Sequence, residues 1–339
     1  MEFALASRDH GRAFRGLLGG DGIRWEPVLI VAVIVLFIPD LKLLERLLAS
    51  LNGQVDRVLT IDNTPDPAVT MAPFLAKFPF SISYIPLGEN KGIAEAQNIG
   101  IREAISTGCS HVLLLDQDSK LPLDMVAKLI AAESELLKAG IKVAAVGPQY
   151  KDEKTGILSF AVRYRAMSVR KIRLDPLSNE PVETDILIAS GSIIRSATLQ
   201  SVGLMRSDLF IDFVDTEWAL RARSSGYKCF CIPNVIMTHN VGDTATKVFG
   251  RSVYLHSELR KYYRLRNAVY LLRLSSMGWG WRSFTLRWIP YYLVLIVCTS
   301  ENKLRNAWLL VRALWDGLRG KLGQAQQPKA SPAVNLERA

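Results

Sequence analysis

The chain has 339 residues, 49% hydrophobic and 22% charged, enough for one large domain with an appendage or for two domains. That composition excludes a disordered, collagenous or repeat-built protein. Its four cysteines (Cys109, Cys229, Cys231 and Cys298) lack the paired spacing of a zinc site or disulfide framework, and read as free thiols in a reducing compartment. The net charge of +10 is local: Arg251 to Lys321 holds 13 Lys and Arg against 3 acids, while the rest of the chain balances 29 against 29.

Residues 1–27 read as an irregular, glycine-rich extension; four arginines and four acids without an apolar core argue against a cleavable signal peptide. Val28 to Ile38 is an uncharged, β-branched run of the kind buried on both faces of a parallel sheet. Pro39 ends it, and Asp40 caps an amphipathic helix with Leu41, Leu44, Leu47, Leu48 and Leu51 on one face. RVLTI is a second strand ending at Asp62 and Asn63. SISYIPL, a helix from Ile93 to Thr107, and the strand HVLLL before Asp116 continue the alternation. This is the start of a doubly wound α/β sheet. Ligands in such sheets sit beyond the carboxyl ends of the strands, which selects Pro39, Asp62, Asn63, Asp116 and Asp118 as candidates.

After a strand at Ala144 to Gly147 the pattern predicts a β-rich insertion over 150–185 and a buried run, ILIASGSII. Then come a helix at Ser196 to Val202, the helix TEWALRARSSG closed by Gly226, and a short strand KCFCIP leading to a Met-Thr-His-Asn turn. From Tyr254 the pattern is helical. The expected division is a catalytic domain over 28–250, basic aromatic helices over 251–322 and a disordered tail over 323–339.

Asp116 and Asp118 form a D-x-D at a strand tip. Two such carboxylates can face one hard cation whose shell substrate phosphates complete, or can simply form an acidic turn. An acid at Asp62 can meet a nucleobase N–H or a ribose hydroxyl, or belong to a turn-forming Asp-Asn pair. No G-x-G-x-x-G follows the first strand and no P-loop is present, which disfavours dehydrogenases and P-loop enzymes. Asn90, Gly92, Ala94, Ala96, Asn98 and Gly100 surround a helix start, where small residues allow close approach of a phosphate or tight helix packing. Asp215, between Phe213 and Trp218, suits a general base with a raised pKa, although acids at a helix start are also stabilising in themselves. His239 is a neutral nitrogen ligand or a structural histidine.

Taken together and in order, the strand ending IDN, N-K-G-I-A-x-A-x-N-x-G, DQDS, VDTEWALR and the later T-H resemble the inverting glycosyltransferase family 2, of GT-A (nucleotide-diphospho-sugar transferase) fold. DQDS, FIDFVDTEW and RKYYRLRN are similar to its bacterial rhamnosyltransferase branch, which builds surface polysaccharides. The resemblance spans Val28 to Asn267. It implies an α/β fold with a C-terminal amphipathic helical region, Asp62 at the nucleobase, and Asn63, Asn90, Gly92, Asn98 and Asp116 around the donor. It also implies Asp116, Asp118 and His239 on a divalent metal (Mg²⁺ or Mn²⁺), Asp215 as catalytic base, and Gly191, Glu217 and Trp218 on the acceptor side. Leu-Phe-Ile-Pro stands where the family usually has Thr-Tyr-Asn-Pro, a departure at Leu36 to Ile38.

The expected reaction is transfer of L-rhamnose from dTDP-L-rhamnose to a lipid-linked glycan. The alternatives are another inverting transferase, for galactofuranose or a hexosamine from a UDP-sugar, and a noncatalytic membrane-surface binding protein. The basic stretch holds five of the seven tryptophans, a composition suited to the headgroups of an anionic bilayer, or to a helical subdomain packing on the core or forming a dimer. A spanning helix needs about 20 apolar residues; the longest runs, Pro27 to Pro39 and Trp288 to Ser300, have 13 each and contain proline. The expected location is cytoplasmic and peripheral on the inner membrane face, with a homo-oligomer left open. Basic residues set among Leu, Trp and Tyr argue against a nucleic-acid partner.

Overall fold

A computed structural model describes residues 14–19, 22–67, 71–239, 245–248, 251–254, 258–299 and 303–325. In chain order the elements are β1 (Phe14–Gly19), β2 (Gly22–Pro27), β3 (Ile30–Leu36), α1 (Leu41–Leu51), β4 (Arg57–Asp62), α2 (Met71–Leu75), β5 (Ile82–Pro86), α3 (Ile93–Ser106), β6 (His111–Asp116) and α4 (Met125–Lys138). They continue with β7 (Val143–Asp152), β8 (Phe160–Tyr164), β9 (Val169–Arg173), β10 (Val182–Thr184), β11 (Ile193–Arg195), α5 (Ser196–Val202), α6 (Val214–Ser224) and β12 (Lys228–His239). The last are β13 (Ala245–Val248), β14 (Arg251–Tyr254), α7 (Glu258–Leu271), α8 (Gly278–Thr299) and α9 (Lys303–Arg319).

Eight strands form the main sheet in the order β10-β12-β7-β11-β6-β3-β4-β5. β3 pairs in parallel with both β4 and β6, whereas β11 and β10 run antiparallel to their neighbours. Side chains alternate across β3. Val31, Val33 and Val35 pack towards α3, α5 and α6; Ile30, Ala32, Ile34 and Leu36 pack towards α1, α2 and α4. A strand sandwiched in this way carries no polar face, which is why its sequence is a continuous β-branched run. Asp40 caps α1, its Oδ1 accepting the N–H groups of Lys42 (2.8 Å) and Leu43 (3.3 Å), and Leu44, Leu47, Leu48 and Leu51 are buried against the sheet.

Several elements differ from the sequence expectation. The first long strand stops at Leu36, because Ile38 adopts φ 45° and leaves the ladder. KCFCIP does not end at Pro233: an irregularity between Ile232 and Ile236 absorbs Pro233, Asn234 and Val235, and β12 resumes through His239, which is a strand end and not a turn. Of ILIASGSII only Ile193 and Ile194 are strand, at the start of β11. Residues 14–27, expected to be irregular, contain the antiparallel pair β1–β2, and residues 1–13 lie outside the described residues. β13 and β14 pair across the expected boundary at 250. The expected disordered tail begins too early: the Gly323 amide donates to the Asp208 carbonyl and the Ala325 amide to Tyr263 Oη, and 326–339 lie outside the described residues.

α7, α8 and α9 share a cluster of Tyr262, Tyr263, Leu265, Val269, Tyr292, Ile296, Leu310 and Ala313, and Phe210 from the sheet domain enters it. Among the described residues no helix is long and apolar enough to cross a membrane.

Candidate active site

Register brings the acidic residues together. Opposite β3, Val35 faces Asp116 and Leu36 faces Asp62, so three strand ends stop side by side. Beyond β6 the chain turns and pairs with the end of β12: the Lys120 amide donates to the Thr238 carbonyl (2.9 Å) and the Thr238 amide to the Lys120 carbonyl (3.0 Å). That clip sets His239 against the D-x-D turn. Its Nε2 lies 3.7 Å from Asp116 Oδ2 and its Nδ1 3.4 Å from Asp118 Oδ1. A buried polar chain supports the turn. The Asp116 amide donates to Ser190 Oγ (3.0 Å), Ser190 Oγ and Ser119 Oγ are 2.7 Å apart, and Ser119 Oγ is 3.2 Å from His239 Nδ1.

Asp116, Asp118 and His239 open onto a cleft of about 380 Å³ that is also lined by Phe37, Asn63, Asn90, Gly92, Gln117, Phe210, Ile211 and Arg260. Asn63 Nδ2 donates to Asn90 Oδ1 (2.9 Å), while its Oδ1 accepts the Lys91 amide (2.8 Å), which ties β4 to the start of α3. Gly92 sits at φ 83°, and a Cβ there would lie 2.6 Å from the Phe210 ring, so only glycine fits. Gln117 and Phe37 exchange hydrogen bonds, amide to side-chain oxygen (2.8 Å) and side-chain nitrogen to carbonyl (3.1 Å), and hold the half-exposed Phe37 ring at the cleft.

Other expected site residues lie elsewhere. Asp62 is fully buried; its oxygens accept from the Thr64 amide (3.0 Å) and Tyr84 Oη (2.8 Å), so it shapes the strand end from beneath. Asn98 pins α3 to Met205 through two backbone bonds. Glu217 is buried in an ion pair with Arg221 (2.9 Å), and Trp218 is buried with its Nε1 donating to the Gly203 carbonyl (2.8 Å). Gly191, at φ 85°, is packed between Pro148 and Met237 and does not line the cleft. Asp215 does not line the cleft; it shares a separate apolar pouch with Trp218, Ala189, Met205 and Cys229, near enough to Asp116 for that charge to act on it.

Burial among these groups pushes the Asp215 carboxyl up to about 6; the charges of Asp116 and Asp212 add to the rise, and hydrogen bonds from the Thr216 amide and hydroxyl oppose it. Burial alone would lower the pKa of His239, but Asp118, Asp116 and Asp152 outweigh it and leave the imidazole raised. Two carboxylates and one imidazole are a suitable donor set for a divalent cation whose shell is completed by substrate oxygens. As the chain stands, among the described residues no three His, Cys, Asp or Glu side chains are already arranged to hold a metal ion. The cation would take the place of the His239 proton.

Sequence reasoning missed Phe37, Gln117, Ser190, Phe210, Ile211 and Arg260 as cleft or support residues. Arg260 lies in RKYYRLRN on α7, far along the chain, and its Nε is 3.4 Å from Asp212. Its pairing with the loop before α6 was the unread signal.

A carboxyl with a raised pKa destabilises the fold as it ionises. The unfolded chain releases this proton near pH 4 and the folded chain only near pH 6, so stability falls as the pH rises from about 4 to about 6 and stays lowered above that. Asp215→Asn should therefore match the wild type at pH 4 and exceed it at pH 8 by on the order of 1–3 kcal/mol, read from urea unfolding. A variant that is less stable at pH 8 contradicts the assignment.

A family model described as "Glycosyl transferase family 2" matches residues 32–189. The dTDP-rhamnosyl transferase RfbF of Shigella flexneri is 33% identical over 297 residues, covering 87% of this chain and 97% of that protein. An uncharacterised Mycobacterium tuberculosis protein, Rv1525, is 30% identical over 179 residues, 49% of this chain and 60% of that one. Among solved structures, S. aureus TarS 1-349 with UDP-GlcNAc aligns at TM-score 0.54 and 14% identity, over 86% of this chain and 81% of that one. GalNAc-T7 with UDP, GalNAc and Mn²⁺ aligns at TM-score 0.54 and 14% identity over 86% of this chain, which spans 62% of that one. At that identity the likeness concerns the fold alone, which is GT-A. The chain belongs to glycosyltransferase family 2.

Proposed function

We propose that this glycosyltransferase transfers L-rhamnose from dTDP-L-rhamnose, with inversion and with Mg²⁺ or Mn²⁺, to a lipid-linked glycan in bacterial surface polysaccharide synthesis. The observation that carries the sugar assignment is the identity to the Shigella dTDP-rhamnosyl transferase, which runs over 87% of this chain. The cleft supports the chemistry. Asp116, Asp118 and His239 would hold the cation. When bound, it would neutralise charge gathering on the leaving diphosphate. Phe37 offers an aromatic face to the nucleobase, and Asn63, Asn90 and Gly92 present a tightly tied rim to the donor. Arg260 brings positive charge to the same cleft. Asp215 takes the proton of the acceptor hydroxyl as it attacks the anomeric carbon from the opposite face, and its raised pKa suits a base working near neutral pH.

Calorimetry against dTDP-L-rhamnose, UDP-galactose, UDP-N-acetylglucosamine and GDP-mannose, each with Mg²⁺ and with chelator, tests this reading. Metal-dependent binding of dTDP-L-rhamnose, lost in Asp118→Ala, is expected. Asp215→Asn should bind that donor normally and turn over about 10² to 10⁴ times more slowly. Preference for another donor overturns the rhamnosyl assignment.

We also infer that the C-terminal helices rest on the inner face of the cell membrane, where the lipid-linked acceptor lies. On α9, Leu304, Trp308, Val311, Trp315 and Leu318 are all more than half exposed at a spacing of alternately four and three residues, which places them on one stripe. Arg305, Arg312 and Arg319 follow it one residue on, with Arg319 over the Trp315 ring (4.1 Å). An apolar stripe edged with cations complements anionic headgroups, whereas a second copy would oppose arginine to arginine. The double variant Trp308→Ala, Trp315→Ala should bind vesicles containing phosphatidylglycerol at least about tenfold more weakly, with donor affinity unchanged. Wild-type protein that ignores such vesicles contradicts this placement.

A further inference from the structure

The loop from Leu209 to Phe213 leads into the helix that carries Asp215. Phe210 (φ 67°), Asp212 (φ 66°) and Phe213 (φ 64°) are left-handed, although none is glycine. Bulky residues hold that conformation only where their surroundings over-determine it. The surroundings here come from α7. Asn267 Nδ2 donates to the carbonyls of Leu209 (2.9 Å), Ile211 (2.8 Å) and Asp212 (3.1 Å), so two hydrogens are spread over three carbonyls of one short loop. Arg266 Nη2 donates to the Leu209 carbonyl (3.0 Å), and its Nε to Asn267 Oδ1 (3.0 Å), which fixes which way the amide faces. Both side chains are almost wholly buried, at 1% and 0% exposure, so water cannot substitute for either.

The consequences of this clamp reach the cleft. Phe210 and Ile211 form part of its wall, Asp212 meets the cleft-lining Arg260, and Phe213 precedes the first turn of α6, where Asp215 stands. We propose that Asn267 is a positioning residue: its side-chain amide holds the Leu209 to Phe213 loop in its left-handed shape and thereby aims Asp215 at the reacting centre. The role given to Asp215 rests on the function proposed above; the clamp itself does not. α7 thus serves turnover directly, besides anchoring the helical region.

The test compares full-length Asn267→Ala and Asn267→Asp with Leu310→Ala, which removes a buried leucine from the cluster that Phe210 also enters but breaks no hydrogen bond to the loop. Asn267→Asp keeps the shape of the side chain and removes the donated hydrogens. Two readouts are taken below the melting temperature of every variant. Amide hydrogen exchange over 209–216 in the free protein should quicken by about tenfold or more in the Asn267 variants and stay unchanged in Leu310→Ala. Release of dTDP from dTDP-L-rhamnose, with water as acceptor, should fall by about 30-fold or more in kcat in the Asn267 variants, with KM within about threefold of wild type. Leu310→Ala should keep its kcat. Unchanged exchange in a folded Asn267 variant overturns the proposal, as does an equal loss of kcat in Leu310→Ala. If the wild type releases no dTDP into water, the exchange result alone decides the clamp.

Discussion

A strand buried on both faces can pair its backbone N–H and C=O groups only with neighbouring strands, and the geometry of this molecule follows from that constraint on β3. Parallel pairing on both sides fixes the register, since a slip of one residue would turn Val31, Val33 and Val35 out of their core and put Ile30, Ala32, Ile34 and Leu36 in their place. Once the register is fixed, Asp62 and Asp116 must end beside Leu36 and Val35. The cleft is a consequence of where three strands run out.

Three more segments complete the site, each delivered by a different device. β12 reaches it through a bulge and the reciprocal Lys120–Thr238 backbone pair, which carries His239 to within 3.7 Å of both carboxylates. Asn63 and Asn90 tie the rim together by side-chain hydrogen bonds. α7 contributes Arg260 to the lining and Asn267 to the loop behind it. The basic C-terminal region, whose composition alone suggested a surface segment, is therefore divided between a buried face that shapes the cleft and an outer face with Trp308 and Trp315 exposed.

The central half of the sheet was legible in the sequence because its signals are local. A charge-free β-branched run, an aspartate cap followed by leucines at helical spacing, and acids directly after strands each state their structure within a dozen residues. Less could be read where the decisive contact is distant. Pro233 looks like a strand end until the parallel partner β7 shows that the ladder resumes beyond it. Asp62 looks like a ligand group, but Tyr84 and the Thr64 amide occupy its oxygens. Glu217, at a helix start, turns inward to Arg221. RKYYRLRN stands out in the sequence, but nothing local says what Arg260 and Asn267 do; their meaning lies in a loop some fifty residues earlier, and only the packed structure brings the two together.

The central claim is that one cleft, at the ends of β3, β4 and β6, takes the donor diphosphate between the acidic pair and Arg260 while Asp215 waits beside it. A crystal structure of the protein with dTDP and Mn²⁺ tests it most directly. The account predicts the ion on Asp116, Asp118 and His239, the diphosphate on the Arg260 side of the cleft, and the thymine against Phe37. Nucleotide and metal bound elsewhere, or nucleotide in the cleft with the ion remote from all three residues, would contradict it.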